Sequence, residues 1–96
     1  MPREWVIDVL GGLAAETAND ARLRETLRIF LGRGSSDKAA AQELAMHSST
    51  VKYRVGCAIS RRGRPISRDR LDVELALLLS HWYGAAVLAP APTKAR

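Results

Sequence analysis

Every stretch of this chain between its glycines repeats apolar residues at helical spacing, and none alternates apolar with polar as a half-buried strand would. Val6, Val9, Leu10 and Leu13 stand at i, i+3, i+4 and i+7. Leu23, Leu27, Phe30 and Leu31 stand at i, i+4, i+7 and i+8, and Val51, Val55, Ala58 and Ile59 repeat that spacing. This periodicity dictates an all-α fold, a small helical bundle of about five helices. With 96 residues, the chain has room for one domain and no second core.

Local signals set the expected boundaries. Pro2 suits a first helical turn, and Gly11 with Gly12 ends or weakens that helix. Asn19 or Asp20 is the expected cap of a second helix whose Arg22, Arg24, Glu25 and Arg28 face water, with Gly32 and Gly34 stopping it. Ser35 or Ser36 caps a short alanine-rich helix, Asp37 to Ala45, and Ser48 caps the next one after a tight turn. The run Arg61-Arg62-Gly63-Arg64-Pro65 is a breaker, and Ser67 with Asp69 signals the last helix. There Leu71, Leu75, Leu78, Leu79 and Trp82 form a stripe, broadened by Val73, Ala76 and Leu77, that is expected to make this helix central, with Trp82 in the core or an interface. The expected organisation is an N-terminal helix leading into the domain over residues 1–18, the domain proper over 19–88, and a disordered tail over 89–96, where Pro90 and Pro92 interrupt any period.

Composition excludes several classes of function. No apolar run approaches the roughly 20 residues that span a bilayer, and the start is too acidic for a signal peptide, so a cytoplasmic protein is expected. A single cysteine, Cys57, permits no internal disulfide and no cysteine zinc cluster. His47 and His81 lack carboxylate or thiol neighbours at ligand spacing, and Cys57 lacks the helix N-terminal position that activates a thiol. No catalytic residues, cofactor or metal are expected.

The net charge of +5 is unevenly placed. Residues 1–32 carry 4 basic and 5 acidic side chains, residues 33–70 carry 9 and 3, and residues 71–96 carry 2 and 2. A basic middle flanked by neutral ends is an electrostatic footprint suited to a polyanion. In that middle lie the two short helices at a tight turn, the description of a helix-turn-helix. Counting Asp37 as the first position puts Ala41 where the helices touch, Ala45 at the turn, Met46 just inside it, and Val51 in the core of the second helix. The outer face and ends of that helix offer Ser49, Thr50, Lys52, Tyr53, Arg54 and Arg62.

The run LRETLRIFLGRGSSDKAAAQELAMHSSTVKYRV, followed by GRPISRDRLDVELALLL, resembles the C-terminal helix-turn-helix domain of PucR-like transcriptional regulators, over roughly residues 9 to 83. The resemblance implies a DNA-binding domain with a Fis-type helix-turn-helix, attached to a sensory region in a longer parent protein. It matches His47 to the family's turn histidine, Thr50 to the threonine that opens the recognition helix, Tyr53 and Arg54 to its tyrosine-arginine pair, and Val51 and Val55 to its core positions. The expected DNA-binding set is Lys38, His47, Ser48, Ser49, Thr50, Lys52, Tyr53, Arg54, Arg61 and Arg62, on a recognition helix of about residues 49–60 in the major groove of double-stranded DNA.

The chain departs from the family pattern at two places. Ser48-Ser49 stands where Arg-Asn is common, and Gly56-Cys57 where two basic residues are usual. Two readings therefore stay open: a regulator whose operator preference has changed, and a helical dimerisation or protein-interaction module built on a degenerate helix-turn-helix. The first and last helices are the candidate subunit contact of a homodimer, which would present two recognition helices to half-sites about one DNA turn apart.

Overall fold

The computed structural model describes residues 2–90. It contains five α-helices in the order α1 (Pro2–Leu10), α2 (Ala18–Gly32), α3 (Asp37–Leu44), α4 (Ser48–Arg62) and α5 (Arg70–Tyr83). Short 3-10 turns follow α1 (Gly11–Ala14) and α5 (Gly84–Ala86). The all-α expectation holds. Among the described residues the one β-type contact is an isolated parallel bridge between Ala15 and Ala89.

The local rules that start and stop these helices differ in detail from the expected caps. Thr17, not Asn19 or Asp20, caps α2: its hydroxyl oxygen accepts from the Asp20 N–H at 3.0 Å and its O–H donates to the Asp20 carboxylate at 2.7 Å. This reciprocal pair satisfies an otherwise orphaned donor of the first turn. Ser36 caps α3 by accepting from the Ala39 N–H, and α3 ends on Ala45 in the left-handed conformation (φ 55°, ψ 49°). That reversal is what keeps the turn short. His47, not Ser48, occupies the cap position of α4, and its side chain makes no capping bond. Asp69 sits before α5 but caps nothing, because its carboxylate accepts from Arg62 and from the Ser67 N–H.

The core is aliphatic. Leu10, Leu13, Leu27, Leu77, Val6, Val51 and Val73 are fully buried, and no aromatic ring is buried among the described residues. Each such side chain contributes roughly 1.5–3 kcal/mol by leaving water. α1 and the turn after it supply Val6, Val9, Leu10, Leu13 and Ala14 to this same core, packing against α5 and α4. α2 runs through the middle and touches α3, α4 and α5.

One expectation fails on packing. The stripe of Leu71, Leu75, Leu78 and Trp82 does not face the core: these residues are 77%, 46%, 43% and 70% exposed. α5 turns inward its opposite face, Val73, Ala76, Leu77 and Ser80. Val73, Ala76 and Ser80 leave room beside the one buried leucine, Leu77, for α1 and α2 to pack against this face. The chain is also ordered beyond Leu88 as far as Ala89, which accepts from the Glu16 N–H at 2.8 Å and donates to the Ala14 carbonyl at 3.0 Å. The expected disordered tail otherwise falls on residues 91–96, outside the described residues.

Candidate nucleic-acid interface

The α3–turn–α4 unit is held by small contacts. Ala40 and Ala41 are buried on α3, and Val51, Val55 and Ala58 are buried on α4. At about 100° per residue, these positions fix which face of α4 looks outward. That face is Ser49, Tyr53, Gly56 and Ser60, at i, i+4, i+7 and i+11, all exposed, with Tyr53 at 72%. Lys52 lies on one flank of the stripe, and Thr50 and Arg54, both half-buried, lie on the other.

The N-terminal half of α4 opens onto a groove of about 460 Å³ lined by Asp37, Lys38, Ser48, Ser49, Lys52 and Tyr53. The first N–H groups of a helix have no carbonyl partner within it, and here no side chain takes them. An uncapped helix start with two serine hydroxyls and two lysines beside it can donate to phosphate oxygens. His47 is exposed at the same end and lines a shallow depression with Ala41, Gln42, Ala45 and Met46. The tyrosine phenol is exposed, where it can bond a base edge or phosphate, and hydrogen bonding with the Cys57 side chain one turn on pushes its pKa up. Lys38, Lys52 and Arg54 enter no ion pair among the described residues.

Of the ten expected site residues, the structure gathers Lys38, His47, Ser48, Ser49, Lys52 and Tyr53 at one end of α4 and sets Thr50 and Arg54 on its flank. Arg61 and Arg62 are not on that surface. Arg62, expected on the outer face, is 3% exposed. Its Nε donates to the Val9 carbonyl at 2.7 Å, one terminal nitrogen donates to the Pro65 carbonyl at 3.0 Å, and the other pairs with Asp69. Arg61 donates through Nε and a terminal nitrogen to the two oxygens of Asp20 at 2.8 and 3.0 Å, and to the Gly12 carbonyl at 2.8 Å. Asp20 is buried, and burial alone would raise its pKa. The hydrogen bonds from Arg61 and Thr17 outweigh that and hold its carboxyl below the usual range. Asp69 is likewise held low, chiefly by Arg62.

The two arginines therefore form a clamp that fastens the end of α4 to the end of α1, the turn after it and the start of α2. The backbone there must come very close. A Cβ on Gly11, where φ is +58°, would stand 2.4 Å from the Arg62 carbonyl oxygen, so no other residue fits without displacement. Arg64 joins the clamp by donating to the Asp8 carbonyl at 3.0 Å, and Arg70 donates to the Leu31 carbonyl at 3.0 Å. Much of the positive charge counted between residues 33 and 70 is thus spent on holding the scaffold.

Three residues of this surface lie outside the expected DNA-binding set, one of which, Gly56, entered the sequence reading only as a departure from the family pattern. Gly56 and Ser60 follow Ser49 and Tyr53 at helical spacing, and Gln42 follows Lys38 at i+4, so periodicity carried the signal for each. The same periodicity assigns Arg62 to the core, as the i+4 successor of Ala58. Among the described residues no group of three or more His, Cys, Asp or Glu is placed to hold a metal ion, and no helix is long and apolar enough to cross a membrane.

Residues 23–79 match the family profile of the PucR C-terminal helix-turn-helix domain. No curated protein and no solved structure matches the chain.

Proposed function

The chain belongs to the family of PucR C-terminal helix-turn-helix domains, and from that footing we propose that it is the DNA-binding part of a transcriptional regulator. One observation carries the reading: the outward stripe of α4 is a polar row around an exposed tyrosine, flanked on opposite sides by the unpaired cations Lys52 and Arg54. A helix laid in the major groove meets base edges along its centre and a phosphate wall on either side, and this distribution of groups matches that demand. Ser49, Tyr53 and Ser60 would read base edges, with Gly56 leaving room for close approach. Lys52, Arg54, Lys38 and the uncapped start of α4 would anchor phosphates. The absence of charged side chains in the central row predicts an operator preference different from that of relatives with Arg-Asn at the helix tip. The reading assigns no catalysis to the domain. It further includes a homodimer on double-stranded DNA, a cytoplasmic location at the nucleoid, and a sensory region in a longer parent protein.

The test is selection from a random-sequence duplex library at two salt concentrations, followed by affinity measurements on any recovered site. The wild-type chain should enrich one sequence. Lys52→Ala and Arg54→Ala should each weaken binding on every duplex and flatten the dependence of log K on log salt by about 0.9. Tyr53→Phe should relax sequence choice with little change in that slope. Enrichment of no sequence, with binding that disappears at higher salt, would refute specific reading and leave the helix-turn-helix as a nonspecific or protein-binding scaffold.

A further inference from the structure

A hollow of about 200 Å³ lies between α2 and α5. On the α2 side, Ala21, Arg24, Glu25 and Arg28 line it at i, i+3, i+4 and i+7, one face of the helix. On the α5 side, Leu77, Ser80 and His81 line it at i, i+3 and i+4. The small side chains of Ala21 and Ser80 leave the space open, and the long charged ones border it. Arg24 and Arg28, expected to face water, are half-buried there.

The charges around the hollow do not balance. Two arginines stand one turn apart on the same face of α2, where like charges repel. Glu25 is the one acid in the lining, and it is occupied by Arg28, from which it accepts at 2.9 Å. Arg24 enters no ion pair among the described residues. One of its terminal nitrogens donates to the Leu13 and Ala15 carbonyls at 2.8 and 2.7 Å, and its other nitrogens have no acceptor among the described residues. Asp20, one turn before it, is already taken by Arg61 and Thr17. Burial outweighs the attraction of Asp20 and Glu16 and pushes the Arg24 pKa down from its ordinary value, as expected of a cation short of negative charge.

A small anion would settle this imbalance, and the lining selects its type. Guanidinium groups present paired N–H donors that match the oxygens of a phosphate or a carboxylate. The lining also accepts: the Ser80 hydroxyl donates to the Leu77 carbonyl at 2.8 Å, which leaves its oxygen to receive a proton donor, and the Glu25 carboxylate stands beside it. Near neutral pH inorganic phosphate carries an O–H as well as charged oxygens, whereas a carboxylate carries charged oxygens alone. His81, exposed at the rim, adds a further N–H. The hollow shares no lining residue with the groove at the start of α4, and α2 meets α4 on the side away from that helix's outward stripe.

We propose that the hollow between α2 and α5 is a binding site for the phosphate group of a small molecule, held by Arg24 and Arg28 from one helix and by Ser80 and His81 from the other. The site goes beyond the DNA reading and does not depend on it. Glu25 acts there as the internal competitor, because it holds Arg28 until the phosphate takes its place.

The experiment is an NMR titration of the full chain with inorganic phosphate, with chloride holding the ionic strength constant and no DNA present. The wild type should show saturable shifts confined to residues 21–28 and 77–81, with a dissociation constant on the order of 1 mM, the scale of a ligand of few atoms. Arg28→Gln should weaken binding by at least about tenfold, through loss of a charged donor. Glu25→Gln changes an exposed position and releases Arg28, so it should tighten binding by at least about threefold, a gain that a purely structural Glu25–Arg28 pair would not produce. Helical circular dichroism checks that both variants are folded. Shifts that spread over the chain without saturating, a Glu25→Gln affinity no better than wild type, or equal affinity for acetate overturns the proposal. Displacement of phosphate from these residues by a duplex also overturns it, since the hollow would then belong to the DNA surface.

Discussion

Arg62 and Arg54 lie two turns apart on one helix, and the structure gives them opposite tasks. Replacing Arg62 by alanine would empty a site that is closed to solvent and strand the groups it serves. The carbonyl of buried Val9 would lose its donor at 2.7 Å and keep only the longer bond from Arg64 at 3.4 Å, and the Pro65 carbonyl would lose its donor at 3.0 Å, which together cost about 1–3 kcal/mol for weakened buried acceptors. Loss of the packed methylenes adds about 2 kcal/mol at roughly 0.8 kcal/mol for each. The Asp69 carboxylate, a third exposed, can turn to water and adds little. The resulting 3–5 kcal/mol agrees with the usual cost of breaking a buried ionic network from one side. A domain of this size is stable by about 5–15 kcal/mol in all, so the midpoint of thermal unfolding should fall by about 15–30 °C. Arg54→Ala, on a half-buried flank without an ion pair, should move the midpoint by only a few degrees. The assays are thermal and urea unfolding, paired with DNA affinity measured across salt at a temperature where both variants remain folded. The expected pattern is a scaffold defect for Arg62→Ala with an unchanged salt slope, and an altered slope without a stability defect for Arg54→Ala. An Arg62→Ala chain with a near wild-type midpoint and a salt slope reduced by about 0.9 would refute the argument and return that residue to the DNA.

Other perturbations follow from single features. Ala45→Gly should stabilise by about 0.5–1 kcal/mol in urea unfolding, because the left-handed turn costs an alanine about 1–2 kcal/mol and glycine's larger unfolded entropy returns part of it. Gly56→Ala should stabilise by about 1 kcal/mol, since the added methyl meets nothing, whereas Gly11→Ala should destabilise by several kcal/mol against the Arg62 carbonyl. The carboxyls of Asp20 and Asp69 are held below the ordinary aspartate pKa of about 3.9, so their contribution to stability is fully present above that pH and is lost as pH falls through the lower folded values. Acid unfolding should accordingly set in below about pH 4 and be less steep for Asp20→Asn, the variant being less stable at neutral pH; equal steepness in both chains would contradict the paired geometry.

The order and type of the helices were legible in the sequence because periodicity and glycines are local signals. Ala41 at the helix contact and Ala45 at the turn were readable for the same reason: a motif with fixed spacing demands a small residue at the first and a reversal at the second. Much of the α4 surface was legible too, since Ser49, Tyr53 and Lys52 follow from the core positions Val51 and Val55 by arithmetic on one helix.

The destination of each charge was not legible. Arg61 finds Asp20 at 41 positions' separation, and Arg62 finds the Val9 carbonyl at 53, and neither partner announces itself in the local pattern. A basic run therefore looked like a polyanion footprint although three of its nine cations, Arg61, Arg62 and Arg64, fasten the end of α4 to the end of α1 and the turn after it. The choice between the two apolar faces of α5 was equally hidden. Periodicity shows that both are apolar; only the packing of α5 on α1 and α2 decides that Val73, Ala76, Leu77 and Ser80 turn inward and Leu71, Leu75 and Trp82 do not. Local spacing determined where this chain is helical and which face of α4 looks outward, whereas close packing between distant segments decided which arginines are tied to the scaffold and which leucines face solvent.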